Sequence, residues 1–157
     1  MSYTVRSVEV VEGPLAVTSY TVTGDELGGK IIPMFDQVYA WLKESEVEQT
    51  GHNVIVYWDR GEQGLLFTED GVPIDVGVQI STSFESSGPI SCTETPAGTA
   101  ATTVHTGPYS GIPAAHAAAR SWCKENGHII AGPNWEIYGD WRADPEALST
   151  EIFYLLK

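Results

Sequence analysis

Positive charge is what this 157-residue chain has least of: 8 lysines and arginines face 21 aspartates and glutamates, a formal net charge of −13. That excess repels phosphate backbones and anionic membrane surfaces, so neither nucleic acid nor a membrane is an expected partner. It favours solubility and draws in cations. Cysteine is nearly missing, with Cys92 and Cys123 alone. No CxxC pair occurs, so no disulfide framework is implied, and both cysteines are expected to behave as small apolar residues. His52, His105, His116 and His128 form no HxH or HxxxH pair, and His116 stands two helical turns from Cys123. Neither a metal nor a cofactor is therefore expected. No apolar run reaches the roughly 18 residues of a membrane span. "MSYTVRSVEVVEG" lacks the basic and apolar segments of a signal peptide, so the expected location is the cytoplasm. "GDELGGK" has no phosphate-loop spacing, and "GPYSG" is not GxSxG, which leaves Ser110 to a turn or a helix cap.

What the chain does have is apolar and aromatic residues, 42% and 10%, enough for one sizeable core. Val5 to Thr23 alternates as a strand or bent strand pair, broken by "EGP" at Glu12 to Pro14. Ile31, Met34, Phe35, Val38, Trp41 and Leu42 form one helical stripe. Pro33 suits a first turn, which predicts a helix starting near Ile31 or Ile32. "HNVIVYWD" and "PIDVGVQIS" read as strands joined by the turn segment "RGEQGLLFTEDG". The second half repeats the scheme. "ISCTETPAGTAATTVHTG" is a strand or strand pair, "IPAAHAAARSWCKEN" a helix, and "NWEIYGDW" and "STEIFYLLK" closing strands.

The halves superpose. Ile31 and Ile112, Trp41 and Trp122, Tyr57 and Tyr138, and Asp59 and Asp140 are each 81 apart, for example 122 − 41. The sequence predicts an α+β fold, a tandem βαββ repeat with pseudo-two-fold symmetry, antiparallel sheet, two main helices and a central cleft. It is expected to be one domain over residues 1–157, with repeats at about 1–85 and 86–157. Trp41 and Trp122 are expected in the core.

In "NWEIYGDW", Glu136 sits among Trp135, Tyr138 and Trp141. Strand alternation groups Trp135 with Ile137, and Glu136 with Tyr138 and Asp140. The first-copy sets are Val54, Val56 and Trp58 against Ile55, Tyr57 and Asp59. The apolar set Val54, Val56, Trp135 and Ile137 is expected under the helices. Glu136, Tyr138, Tyr57 and Ile55 would then line a cleft on the other face. A lone acid in an aromatic cleft suits a flat, lipophilic cation, and the competing reading is an acid hydrogen-bonded to a tyrosine at a wet sheet edge. Trp58 and Trp141 are rim or core candidates. Asp75 and Glu151 recur at matching points of the final strands, as candidates for lining the cleft or holding its tyrosines. His105, in the strand leading to "TG", is a candidate for contact with the cleft, with a structural hydrogen bond the favoured reading.

"VHTGPYSGIPAAHAAARSWCKENG" and "GPNWEIYGDW…EALSTEIFYLL", with the tandem layout, resemble the GyrI-like (gyrase-inhibitor-like) family of effector-binding domains. The resemblance implies a duplicated SHS2-like unit and a central pocket whose glutamate meets lipophilic, aromatic, cationic ligands. Glu136 matches that glutamate, with Tyr138 and Tyr109 as aromatic neighbours. The family's regulators carry an N-terminal DNA-binding segment, whereas here the first β-element begins by about Val5, so a stand-alone domain is expected. Some stand-alone members are similar to hydrolases that open the cyclopropane of DNA-alkylating natural products. That resemblance implies Glu136 as general base on water, assisted by Tyr138. A third implied role is a gyrase-modulating interaction protein.

Overall fold

In a computed structural model of the protein, residues 2–59, 70–86 and 88–157 are described. Each half lays down two strands, a helix and two strands. The first half gives β1 (Arg6–Val10), β2 (Pro14–Val22), α1 (Gly24–Glu44), β3 (Gln49–Tyr57) and β4 (Val72–Ile80). The second gives β5 (Ser91–Glu94), β6 (Gly98–Thr106), α2 (Ile112–Glu125), β7 (Ile130–Tyr138) and β8 (Ser149–Leu156). Most of the expected "RGEQGLLFTEDG" turn, residues 60–69, lies outside the described residues.

The strands form one antiparallel sheet ordered β1-β6-β8-β7-β3-β4-β2-β5. Swapping each strand for its counterpart and reading backwards returns the same order, as a pseudo-two-fold axis between β3 and β7 demands. The tandem α+β layout read from the sequence is present, and β3 and β7 begin and end 81 residues apart (130 − 49, 138 − 57). The first strand of each half crosses over: β1 pairs with β6, and β5 with β2. Neither half is thus a complete sheet without the other.

Two local expectations are corrected. α1 starts at Gly24, not near Ile31 or Ile32, and Pro33 lies inside it. The Thr23 N–H donates to Glu26 Oε1 (3.1 Å), one arm of a Thr-x-x-Glu capping box that starts the helix early. Leu27, Ile31 and Phe35 then pack on Ile55, Tyr57 and Ile74, and that burial offsets the roughly 3 kcal/mol cost of an interior proline.

The second correction concerns the sheet faces. Both helices cover the face that carries Ile55, Tyr57, Ile152 and Tyr154, with Tyr138 packed between the two helix layers. Val54, Val56 and Trp135, 0%, 0% and 2% exposed, lie on the opposite face, where no helix side chain joins the layer among the described residues. Leu15, Val17 and Phe153 complete it. Gly77 pairs with both Val17 and Val54. A Cβ there would stand 1.8 Å from the Ala16 carbonyl oxygen, so β2 approaches β4 as only glycine permits. Trp41 and Trp122 are half-buried, packed against the core clusters rather than inside them.

Candidate functional site

β7 lies at the middle of the sheet, and its register sets Glu136 opposite Ile55 on β3 and Ile152 on β8. Glu136 is 3% exposed, under the helices and beside the pseudo-two-fold axis. Neither reading of its state made from the sequence is complete, because the acid is neither bare nor at a wet edge. Its Oε1 accepts from the Tyr138 hydroxyl (2.6 Å) and the Tyr57 hydroxyl (3.1 Å). Its Oε2 lies 2.6 Å from Nε2 of His116, which descends from α2. Tyr57 reaches it diagonally across the β3–β7 pair, and Tyr138 from two residues along the same strand. Three donors replace much of the water that burial removes.

The network continues outward. His116 Nδ1 lies 2.7 Å from the Tyr154 hydroxyl, which accepts from Arg120 Nη1 at 2.8 Å. Burial is the largest cause holding the Tyr57 and Tyr138 hydroxyls well above their ordinary range, with the Glu136 charge next. Burial also pushes Tyr154 up to about 12, against the pull of the Arg120 guanidinium. The ring hydroxyls around Glu136 therefore remain protonated donors. Burial likewise raises the Cys123 thiol, in keeping with an inert core cysteine.

Tyr109 meets half-buried Tyr138 edge-on at 5.7 Å and is 43% exposed, so it is the more solvent-facing ring of the pair. The loop that presents it is held by His105, whose ring bridges the Tyr3 hydroxyl (2.9 Å) and the Pro108 carbonyl (2.8 Å). A Cβ on Gly111 would come within 2.5 Å of that ring. The "HTGPYSG" segment is thus a clamp, and His105 takes the structural role favoured from the sequence.

Other predicted residues lie elsewhere. Trp58 donates its indole N–H to Asp75 (2.8 Å), which also accepts from Ser19 (2.5 Å), and Trp58 packs with the layer of Val54, Val56 and Trp135. Asp75 thus holds a tryptophan rather than the tyrosines. Glu151 is exposed, paired with Val104 and Ile137. Trp141 is 74% exposed, past the end of β7. Asp59 accepts from Asn134 (2.7 Å), two residues from Glu136 on the same face. Residues not foreseen as site members are His116, Tyr154 and Arg120. One signal for His116 was available: it shares the stripe of Ile112, Ala115, Ala119 and Cys123, a polar ring on an apolar helix face.

Among the described residues, no three of His, Cys, Asp or Glu gather as metal ligands, and no helix is long and apolar enough to cross a membrane. A cavity of about 250 Å³ lies away from this centre, lined by Gly13, Leu15, Thr50, Gln79 and Thr95. Among the described residues no ionisable side chain lines it, whereas the Glu136 centre gathers a buried carboxylate, an imidazole and tyrosine rings. The chemistry places the candidate site at Glu136.

The fold is thus an α+β sheet of two βαββ units with a buried, ring-bound acid beside its pseudo-two-fold axis. The chain belongs to the GyrI-like small molecule binding domain family, whose model matches residues 5–157. The C-terminal domain of EcmrR is similar in fold, at TM-score 0.81 and 22% identity over 100% of this chain and 99% of that one. SAV2435 bound to tetraphenylphosphonium matches at TM-score 0.62 and 12% identity, over 100% and 94% of the two chains. A hydrolase encoded by lin2189 of Listeria innocua matches at TM-score 0.57 and 12% identity, over 98% and 91%. Curated protein sequences gave no match.

Proposed function

We propose that this protein binds lipophilic aromatic cations at Glu136. The observation that carries the proposal is a 3%-exposed carboxylate at the centre of the sheet, held by two tyrosine hydroxyls and one imidazole. Tyr57, Tyr138 and Tyr109 supply ring faces for an onium or delocalised cation, each contact contributing about 0.5–2 kcal/mol, and their edges suit the faces of the ligand's own rings. The formal charge of −13 favours approach of such a ligand. The tetraphenylphosphonium held by SAV2435 is a ligand of this chemistry. A partner read by this domain, DNA included, forms no part of the proposal.

Titration with tetraphenylphosphonium or a rhodamine dye tests it. Glu136→Gln keeps the side-chain shape and loses the charge, and is expected to weaken binding at least tenfold, about 1.4 kcal/mol. Equal affinity for wild type and variant would remove charge pairing from the account.

A hydrolase reading draws on the lin2189 relative and on the proton donors crowding Glu136. In it Glu136 takes a proton from water as the oxygen attacks a strained cyclopropane carbon, the carbon–carbon bond breaks, and a donor such as Tyr138 protonates the leaving carbon. Mass spectrometry of a cyclopropane-bearing alkylator incubated with the protein decides it: catalytic gain of one water supports the reaction, and unchanged substrate rules it out.

A further inference from the structure

The hydrogen-bond directions around His116 can be assigned from one end of the chain. An arginine only donates, so the Tyr154 oxygen must accept from Arg120 Nη1 at 2.8 Å. The hydrogen of that hydroxyl then has one acceptor among the described residues, His116 Nδ1 at 2.7 Å. A ring that accepts at Nδ1 carries its hydrogen at Nε2, and Nε2 faces Glu136 Oε2 at 2.6 Å. Arg120, Tyr154 and His116 therefore act in series to deliver an N–H to the central carboxylate. Ala115 and Ala119 flank His116 on α2 without a side chain that competes for either ring nitrogen.

A carboxylate offers about four acceptor positions. Three are taken, two on Oε1 by Tyr57 and Tyr138 and one on Oε2 by His116. What remains for a ligand is the charge and little acceptor capacity. A primary ammonium or guanidinium enters such a site poorly, because its N–H groups lose water and need oxygens in return. A quaternary ammonium or phosphonium has no such groups, and meets the charge without displacing a donor.

We infer that His116 is the specificity-determining residue of this site, reserving Glu136 for cations that carry no hydrogen-bond donor. The inference rests on the proposed cation-binding function and adds which cations are accepted and what excludes the others. His116 acts through Glu136 and is a positioning residue.

The test compares naphthylmethyl-trimethylammonium with naphthylmethylammonium, which share ring and charge and differ in N–H donors. The readout is the ratio of the two affinities, measured by calorimetry. Wild type is expected to favour the quaternary probe, and His116→Leu, which frees Oε2, is expected to lower that ratio at least tenfold. His116→Gln presents an N–H at nearly the Nε2 position, and is expected to keep the ratio within about threefold of wild type. Nitrogen NMR of the wild-type ring supplies a reading independent of any variant. A protonated Nε2 and bare Nδ1, before and after the quaternary probe is added, support the inference. A ratio unmoved in His116→Leu, a ratio lost equally in His116→Gln, or the opposite tautomer overturns it and leaves cation binding intact. Failure of both probes to bind wild type overturns the binding proposal itself.

Discussion

Truncation of Trp135 to alanine is expected to cost about 3–5 kcal/mol of folding free energy. Trp135 is 2% exposed and stacks on Phe153 at 5.2 Å with ring planes 5° apart. It is paired in register with Phe153 on β8 and Val56 on β3, so it fills the middle of a layer that no helix covers among the described residues. A helix could shift to close part of a cavity, but strands locked in a hydrogen-bonded ladder cannot, which places the cost at the upper end. Against a total stability of about 5–15 kcal/mol, this removes a large fraction. Urea unfolding measures it, with Trp141→Ala as the internal comparison. Trp141 is 74% exposed, and its loss is expected to stay within about 0.5 kcal/mol. Equal small effects for both tryptophans would mean that the layer around Trp135 is not packed as described.

Alkaline pH is expected to unfold the protein through the site's own hydroxyls. An unfolded tyrosine ionises near about 10, whereas Tyr154 is held at about 12 and Tyr57 and Tyr138 are pushed well above 10. The folded values are raised, so the stability they lend is whole below about pH 10 and drains away as pH climbs through the folded values. Above about 10 the unfolded chain releases protons that the folded one retains, which pulls the equilibrium toward unfolding. For Tyr154 the two ionisation points, about 12 and about 10, translate into about 3 kcal/mol once both are passed. Tyr57 and Tyr138 deepen the loss. Ultraviolet titration should show these three of the seven tyrosines ionising only together with loss of circular dichroism. The Tyr57→Phe/Tyr138→Phe double variant should shift the alkaline transition upward in pH. All seven tyrosines titrating near pH 10 in folded protein would contradict the burial of the network.

Much of the architecture was legible in the chain because it was written twice. The 81-residue offset between Trp41 and Trp122 carries through α1 and α2 into β3 and β7, and two copies of one pattern exclude most alternative topologies. Glu136 was legible for a different reason, as an acid in a strand where its counterpart is Ile55. The face it occupies was not. Period-2 alternation sorts residues into two sets, but when both faces are buried it does not say which set meets the helices. Valines and a tryptophan went to the face opposite α1 and α2, while tyrosines, whose hydroxyls need partners, went under the two helices. Pro33 points to a start near Ile31 or Ile32, whereas the Thr23–Glu26 capping box, which the periodicity does not register, starts α1 at Gly24. His116 has no metal-binding spacing to mark it, and its place as partner to Glu136 depends on how α2 is rotated over the sheet, which helical spacing does not fix.

A structure of the protein with tetraphenylphosphonium bound is the most direct test of the claim that Glu136 is the cation centre. The account predicts the phosphonium within about 6 Å of the Tyr57 and Tyr138 ring centroids, with Glu136 its nearest carboxylate and the His116 hydrogen bond kept. A phosphonium seated in the cavity lined by Gly13, Gln79 and Thr95, or against exposed Trp141, with Glu136 unapproached, would contradict it.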